Sequence, residues 1–327
     1  MARMFIEGFE GGNFDLWDYD SGCSLVSASL ASMTGDYCCD IGGLLEKDFS
    51  DNETTVGVNF DVKFDGTPGL LLFYLYCDAM SCFILRISAE SSYIKYTVKD
   101  LSDSEVESYE FNTIYPTSKF NVQAVMTNPS PGYYTYQILH NGNEILNGNF
   151  SYGSCAFFNK IRFGFETPSS TIYIDNIVID NEEIPGASEV YGLVPYANGT
   201  TSEWSSSDST NFQSIDDIPR NDNNYIYTDV FDEIDLFKLT DVPVSGREIK
   251  SLFLFGYSQQ TVGPPPTEHT RLVVRTDSTN FLGATEEIHV AGDFGRTEQI
   301  LQRSPSSRES WEEAKINDLE IGIKLVG

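Results

Sequence analysis

The sequence predicts an all-β protein of two β-sandwich domains. Three observations carry this: short alternating or wholly apolar runs recur at even spacing, turn residues separate them, and helix signals are nearly absent. Tyr and Phe are abundant, while Gly, Asn, Asp, Ser and Thr fill the gaps. Aromatic and β-branched side chains suit a pleated surface, and the small polar ones suit tight turns. A chain of 327 residues accommodates two cores. The polar stretch 180–188, broken by Pro185-Gly186, separates a domain at 1–184 from one at 192–327.

The strands follow in order. Residues 55–64 alternate, placing Val56, Val58, Phe60, Val62 and Phe64 on one face, and residues 65–69 turn the chain. Residues 70–77 form a continuous apolar run suited to a strand buried on both sides. Further strands are expected at 83–87, 93–98, 119–126 and 133–140. Asn141-Gly142 then marks a type I′ hairpin turn, and 160–166 and 171–180 complete the first domain. In the second domain, residues 198–224 are polar around Trp204, and strands are expected at 248–257 and 270–277. Gly263-Pro264-Pro265-Pro266 between them cannot continue a ladder. One short helix is predicted near residues 311–319, with Ser310 as N-cap, Trp311 at the first position and Glu313 closing a capping box. An alternating strand, 321–326, ends the chain.

Charge and motif content narrow the function. A formal net charge of −29 excludes the basic face that a nucleic-acid binder needs and disfavours an anionic membrane surface. No apolar run is long enough to span a bilayer, and the first residues do not read as a signal peptide, so synthesis in a cytoplasm without export is expected. Neither a Gly-x-Ser-x-Gly elbow nor a phosphate-cradling loop is present. His140, ahead of the Asn-Gly turn, reads as an exposed hairpin residue. The six cysteines all lie in the first domain, none in a C-x-x-C pair, and buried thiols are expected. Cys77 and Cys82 are the candidate disulfide, facing each other across a hairpin turn. A sugar platform would use exposed aromatics, and Tyr134 and Tyr136, sharing one face of an alternating strand, are the candidates. No enzyme chemistry is expected. Glu233-Ile234-Asp235-Leu236-Phe237-Lys238 resembles the Glu-x-Asp-x-x-Glu strand of one jelly-roll glycosidase family. Lys238, however, stands where that retaining mechanism needs its second glutamate.

Two resemblances extend this reading. The segments Phe9-Glu10-Gly11-Gly12-Asn13-Phe14-Asp15-Leu16-Trp17 and Ile172-Tyr173-Ile174-Asp175-Asn176-Ile177-Val178-Ile179 bracket the first domain. They resemble the concanavalin-like or laminin-G-like jelly rolls, in which the first and last strands pair. That pairing would gather Asp15, Asp18 and Asp20 with Asp175 and Asn176, the candidate ligands for calcium; no other cofactor is expected, since the spacing of Cys38, Cys39, Cys77 and Cys82 does not match a structural zinc site. In the second domain the motifs Pro195–Trp204, Ile215-Asp216-Asp217-Ile218-Pro219, Asn223-Asn224-Tyr225-Ile226-Tyr227 and Asp235-Leu236-Phe237 come in that order. Asp241-Val242-Pro243, Arg271-Leu272-Val273-Val274-Arg275 and Ser310-Trp311-Glu312-Glu313-Ala314 follow. The series is similar to a domain of tailed-bacteriophage virion structural proteins. The resemblance implies an accessory or decoration protein of head, neck or tail, located in the virion and acting through protein–protein contacts. Its expected partners are other virion proteins (capsid, neck or tail) in a homo-oligomer or symmetric array. Host-surface glycan is the alternative ligand, and neither nucleic acid nor membrane is expected.

Overall fold

The computed structural model describes the chain except residues 1–2, 15, 32, 34–36, 67, 78–79, 101, 103, 113–117, 152, 154–155, 165–170, 182–185, 260–268 and 288–293. It is all-β and divides into two compact units, Met1–Val190 and Tyr191–Gly327.

The first unit begins with β1 (Arg3–Glu7), β2 (Tyr19–Ser21), β3 (Ser24–Ser27), the single turn α1 (Ala28–Ala31), β4 (Tyr37–Asp40) and β5 (Leu44–Glu53). It continues through β6 (Thr55–Asp65), β7 (Gly69–Cys77), β8 (Met80–Ala89), β9 (Tyr93–Lys99) and β10 (Glu105–Asn112). The last five are β11 (Phe120–Ser130), β12 (Tyr133–His140), β13 (Asn143–Ser151), β14 (Phe158–Gly164) and β15 (Thr171–Asp180). An eight-stranded sheet runs β13-β12-β11-β6-β15-β4-β3, with β1 also on β15. A seven-stranded sheet runs β10-β9-β8-β7-β14-β5-β2. Every pairing within the two sheets is antiparallel, and together they form a jelly-roll sandwich.

The expected pairing of first and last strands is present, with Glu7 opposite Ile177 and Arg3 opposite Asp180. The opening strand lies just upstream of Phe9–Trp17, and that segment instead turns back and inserts its aromatic rings into the core. Trp17 packs edge-on against Phe5 and Phe163 and stacks on Phe9, at centroid distances of 5.1, 6.1 and 6.4 Å. Phe163 continues the cluster to Phe60 and Phe73 at 5.0 and 5.3 Å, so rings from both sheets interlock. Alternation accounts for the burial: Val56, Val58, Phe60, Val62 and Phe64 of β6 are all buried. Strand β7 is fully buried on one face only; Leu70, Tyr74 and Tyr76 on the other are half-buried.

His140 corrects the sequence reading. It is buried, because Asn141-Gly142 turns the backbone only after His140 has pointed inward with Tyr134, Tyr136 and Ile138. Its ring lies 4.1 Å from that of Phe111 and stacks on Phe120, and Nδ1 shares a 2.6 Å hydrogen bond with the Tyr96 hydroxyl. Burial lowers its pKa from 6.5 to about 4. The folded state therefore resists protonation, and this contribution is complete above pH 6.5 and is lost as pH falls through 6.5 toward about 4. Wild type is expected to lose about 2–3 kcal/mol more than a His140→Phe variant between about pH 7.5 and about pH 4.5. Urea titrations at the two pH values measure it, and equal losses would contradict it.

The second unit contains β16 (Pro195–Ser202), β17 (Ser205–Ser206), a 3-10 turn at Phe212–Ser214, β18 (Ile226–Tyr227), β19 (Ile234–Leu239) and β20 (Leu252–Ser258). It ends with β21 (His269–Thr276), β22 (Thr279–Glu287), β23 (Gly295–Leu301), α2 (Glu313–Asn317) and β24 (Glu320–Val326). A five-stranded sheet, β16-β19-β24-β21-β22, is accompanied by the pairs β20–β23 and β17–β18. Leu239, Leu254, Leu272, Val274, Trp311, Ile316 and Leu319 form its core. The helix starts later than the capping-box pattern predicts. Glu312, not Ser310, is the N-cap, with no side-chain cap, and Trp311 instead forms a β-bridge with Ile249. Burying the indole, whose Nε1 donates to the Leu301 carbonyl at 2.9 Å, outweighs one capping hydrogen bond. The Gly263–Pro266 loop lies outside the described residues.

Candidate functional site

The candidate calcium ligands are placed on different sheets. Asp18 serves the seven-stranded sheet: its Oδ2 accepts the Asp48 amide at 2.7 Å and lies 3.4 Å from Lys47 Nζ. Asp20 sits in β2 opposite Leu45 and is exposed. Asp15 lies outside the described residues. Asp175 and Asn176 are buried in β15 of the other sheet. There Asn176, at φ 53°, forms a bulge where β15 changes its edge partner from β4 to β1. Its amide donates to Asp175 Oδ1 at 2.7 Å, its Nδ2 donates to Asp61 at 2.9 Å, and its Oδ1 accepts the Val190 amide at 2.7 Å. Among the described residues no three His, Cys, Asp or Glu side chains gather into a metal site.

Tyr134 and Tyr136 also require correction as a sugar platform, because both are buried on the inner face of β12. Tyr134 stacks on Phe150, and the Tyr136 hydroxyl donates to Glu107 Oε2 at 2.6 Å. Burial, followed by that carboxylate, raises the Tyr136 pKa. As for the proposed disulfide, the β7–β8 register sets Cys77 opposite Met80, and the side chain of Cys82 lies outside the described residues. Cys155 also lies outside them. In the glycosidase-like strand, Asp235 is buried and held by Asn211 Nδ2 at 2.6 Å and the Trp204 amide at 3.3 Å, while Lys238 points outward. Burial raises the Asp235 pKa, and these hydrogen bonds oppose the shift.

The arrangement that does assemble lies on the side of the eight-stranded sheet opposite its core. Antiparallel register sets Gln123 opposite Asn59 and Asn121 opposite Asp61, while Val125 lies between Gly57 and Gln137. Asn121 Nδ2 donates to Asn59 Oδ1 at 2.9 Å and to Asp61 Oδ1 at 2.8 Å; Gln123 Nε2 donates to Asn121 Oδ1 at 2.8 Å. Lys119 adds an ion pair to Asp61 at 3.1 Å. Beside this fixed row a shallow depression of about 170 Å³ is lined by the side chains of Val125, Thr127, Thr135, Gln137 and Asn147. Gly57 opposite Val125 contributes no side chain to fill it. The Gln137 and Asn147 amides both donate to Glu144, which orients them. Sequence reasoning missed these residues. The available signal was amide and hydroxyl side chains at alternate positions of strands whose other face is apolar, as in Phe120-Asn121-Val122-Gln123-Ala124.

Fold and face together define a jelly-roll β-sandwich whose eight-stranded sheet carries, opposite its core, a largely buried amide row beside a half-exposed depression. Neither a family model nor a curated protein sequence matches the chain. Solved structures similar to it include a carbohydrate esterase of the Shiga toxin-encoding bacteriophage phi24B, at 13% identity and TM-score 0.40, covering 54% of this chain and 97% of the other. The endo-β-1,4-glucuronan lyase of the fungus Trichoderma reesei is similar at 10% identity and TM-score 0.40, covering 55% and 96%. The CBM2 module of the evolved Dit protein of Lactobacillus casei BL23 phage J-1 is similar at 9% identity and TM-score 0.36, covering 54% and 94%. Similarity at this level carries no residue role or activity across to this chain.

Proposed function

We propose that this chain is a non-catalytic accessory protein of a tailed-phage particle whose first unit binds a neutral glycan on the outer face of the eight-stranded sheet. The depression between Val125, Gln137 and Asn147, beside a hydrogen-bonded row in which Asn59 and Gln123 are buried, is the observation that carries the reading. Sugar hydroxyls both donate and accept, and amide side chains offer both functions in one plane. The Gln137 and Asn147 amides, already held by Glu144, lose little freedom on binding. A net charge of −29 repels polyanionic saccharides, which favours neutral ones. The order of motifs between Pro195 and Ala314 supports the particle setting, with capsid, neck or tail proteins as neighbours. In a symmetric array, weak individual contacts would add by multivalency.

Calorimetric titration of the intact chain with neutral oligosaccharides tests the glycan site. Saturable binding is expected, weakened about tenfold by Gln137→Ala, the loss of one hydrogen bond of about 1.4 kcal/mol. No saturation across the panel, or unaltered affinity in the variant, would overturn the glycan reading. Detection of the chain by mass spectrometry in purified particles tests the virion assignment separately, and its absence there would overturn that.

A further inference from the structure

The two sheets of the first unit are joined by a ribbon in which two chain segments cross together. The β2–β5 ladder ends at Ser21 opposite Leu44 in the seven-stranded sheet, and the β3–β4 ladder begins at Ser24 opposite Asp40 in the eight-stranded one. Between them the backbones are in direct contact. A Cβ on Gly42 would lie 2.1 Å from the Gly22 carbonyl oxygen, and one on Gly43 would lie 1.5 Å from that of Ser21. Only glycine permits this approach. Cys23 leaves the crossing with its Sγ 3.7 Å from the Leu44 carbonyl and 3.8 Å from that of Ser21. Cys39 in β4 stands opposite Ile174, a core residue, so it faces inward; across the β3–β4 ladder it pairs with Leu25, two residues beyond Cys23, which sets the two thiols on the same side of the ribbon and within interaction range. Alternation sends the adjacent Cys38 to the other side of β4, toward Asp175 and Lys63.

From this crossing we propose that Cys23 and Cys39 are the site of an intramolecular disulfide, formed by exchange with a low-molecular-weight disulfide such as oxidised glutathione. The proposal is independent of glycan binding. The roles divide by environment. Cys23 is half-buried, and the Cys39 thiol, helped by the backbone at Gly43 and Gly42, lowers its pKa, so it is the attacking thiolate. Its sulfur displaces one thiolate from the oxidant and leaves a mixed disulfide. Cys39, losing its proton, then attacks Cys23 Sγ and expels the second thiolate. Two protein thiols are thus oxidised by two electrons, and the two protons they lose pass to the two expelled thiolates, so that the small disulfide is reduced to two thiols. Burial keeps Cys39 protonated and inert until the mixed disulfide stands beside it, and burial together with Asp175 pushes the Cys38 thiol up to about 12. The bond would staple the corner where the chain changes sheets.

The intact chain, reduced and then exposed to oxidised glutathione, is alkylated, digested without reductant and analysed by mass spectrometry. The expected product is a linked peptide pair containing Cys23 and Cys39, two hydrogens lighter than the reduced pair. The melting temperature of the first unit is expected to rise by about 5 °C, reversibly with reductant. Cys23→Ser, at a half-buried position, should abolish both changes, and Cys38→Ser should abolish neither. Alkylation of both Cys23 and Cys39 after oxidation, a persistent glutathione adduct on Cys23, or linkage of Cys23 to any other cysteine would overturn the proposal.

Discussion

Replacing Trp17 by alanine is expected to lower the unfolding free energy of the first unit by about 3–5 kcal/mol. The ring is buried between Phe5 of β1 and Phe163 of β14, one from each sheet, and stacks on Phe9 from its own turn. Removing it takes a large apolar area out of the core and leaves a cavity lined by aromatic rings that are themselves fixed by Phe60 and Phe73. Such rings cannot collapse inward without breaking strand register, so the cavity cost adds to the transfer cost. Trp17→Phe retains part of the volume and should lose less than half as much. Urea unfolding, read as a change of midpoint at constant slope, measures both. A loss below about 1 kcal/mol for Trp17→Ala would show that the Phe9–Trp17 segment is not part of the cooperative core.

Asn176→Ala is expected to cost about 3 kcal/mol, through two separable causes. At φ 53° a residue with a Cβ is strained by roughly 1–2 kcal/mol, which asparagine tolerates better than alanine. The remainder comes from the Val190 amide and Asp61 Oδ2, which lose their hydrogen-bond partner in a buried setting. Asn176→Gly relieves the first cause and keeps the second, so it should be the milder variant by about 1 kcal/mol. Equal losses would exclude backbone strain, and no loss in either would exclude the bulge as a structural element. Asn176→Asp would set a second carboxylate against Asp61 and should destabilise most above the carboxylate pKa range.

How much of this was legible in the sequence depended on the range of the interaction. The alternation of 55–64 and the Asn141-Gly142 turn are local, and the structure reproduces both as β6 and the β12–β13 hairpin. The pairing of first and last strands was legible only through resemblance, since nothing local relates Glu7 to Ile177. The local pattern places helix α2 within two residues, but its start differs because Trp311 is held outside the helix by Ile249, distant in sequence, and by Leu301. Tyr134, Tyr136 and His140 depart from the sequence expectation for one shared reason. Period-two alternation states that they lie on the same face of β12, but which face is the core is decided by the opposite sheet.

The sequence alone thus determined the strand class, most turns, the acidic surface and the absence of a second glutamate beside Asp235. These follow from local backbone preference and from composition, which need no partner. Tertiary structure decided which face of each strand is buried. It placed Asp20 and Asp175 on separate sheets, and it brought Cys23 near Cys39 where the chain crosses between them. It also set Asn59, Asn121 and Gln123 side by side across β6 and β11. Register between strands far apart in sequence is set by the summed packing of a whole face, and no single segment contains that sum.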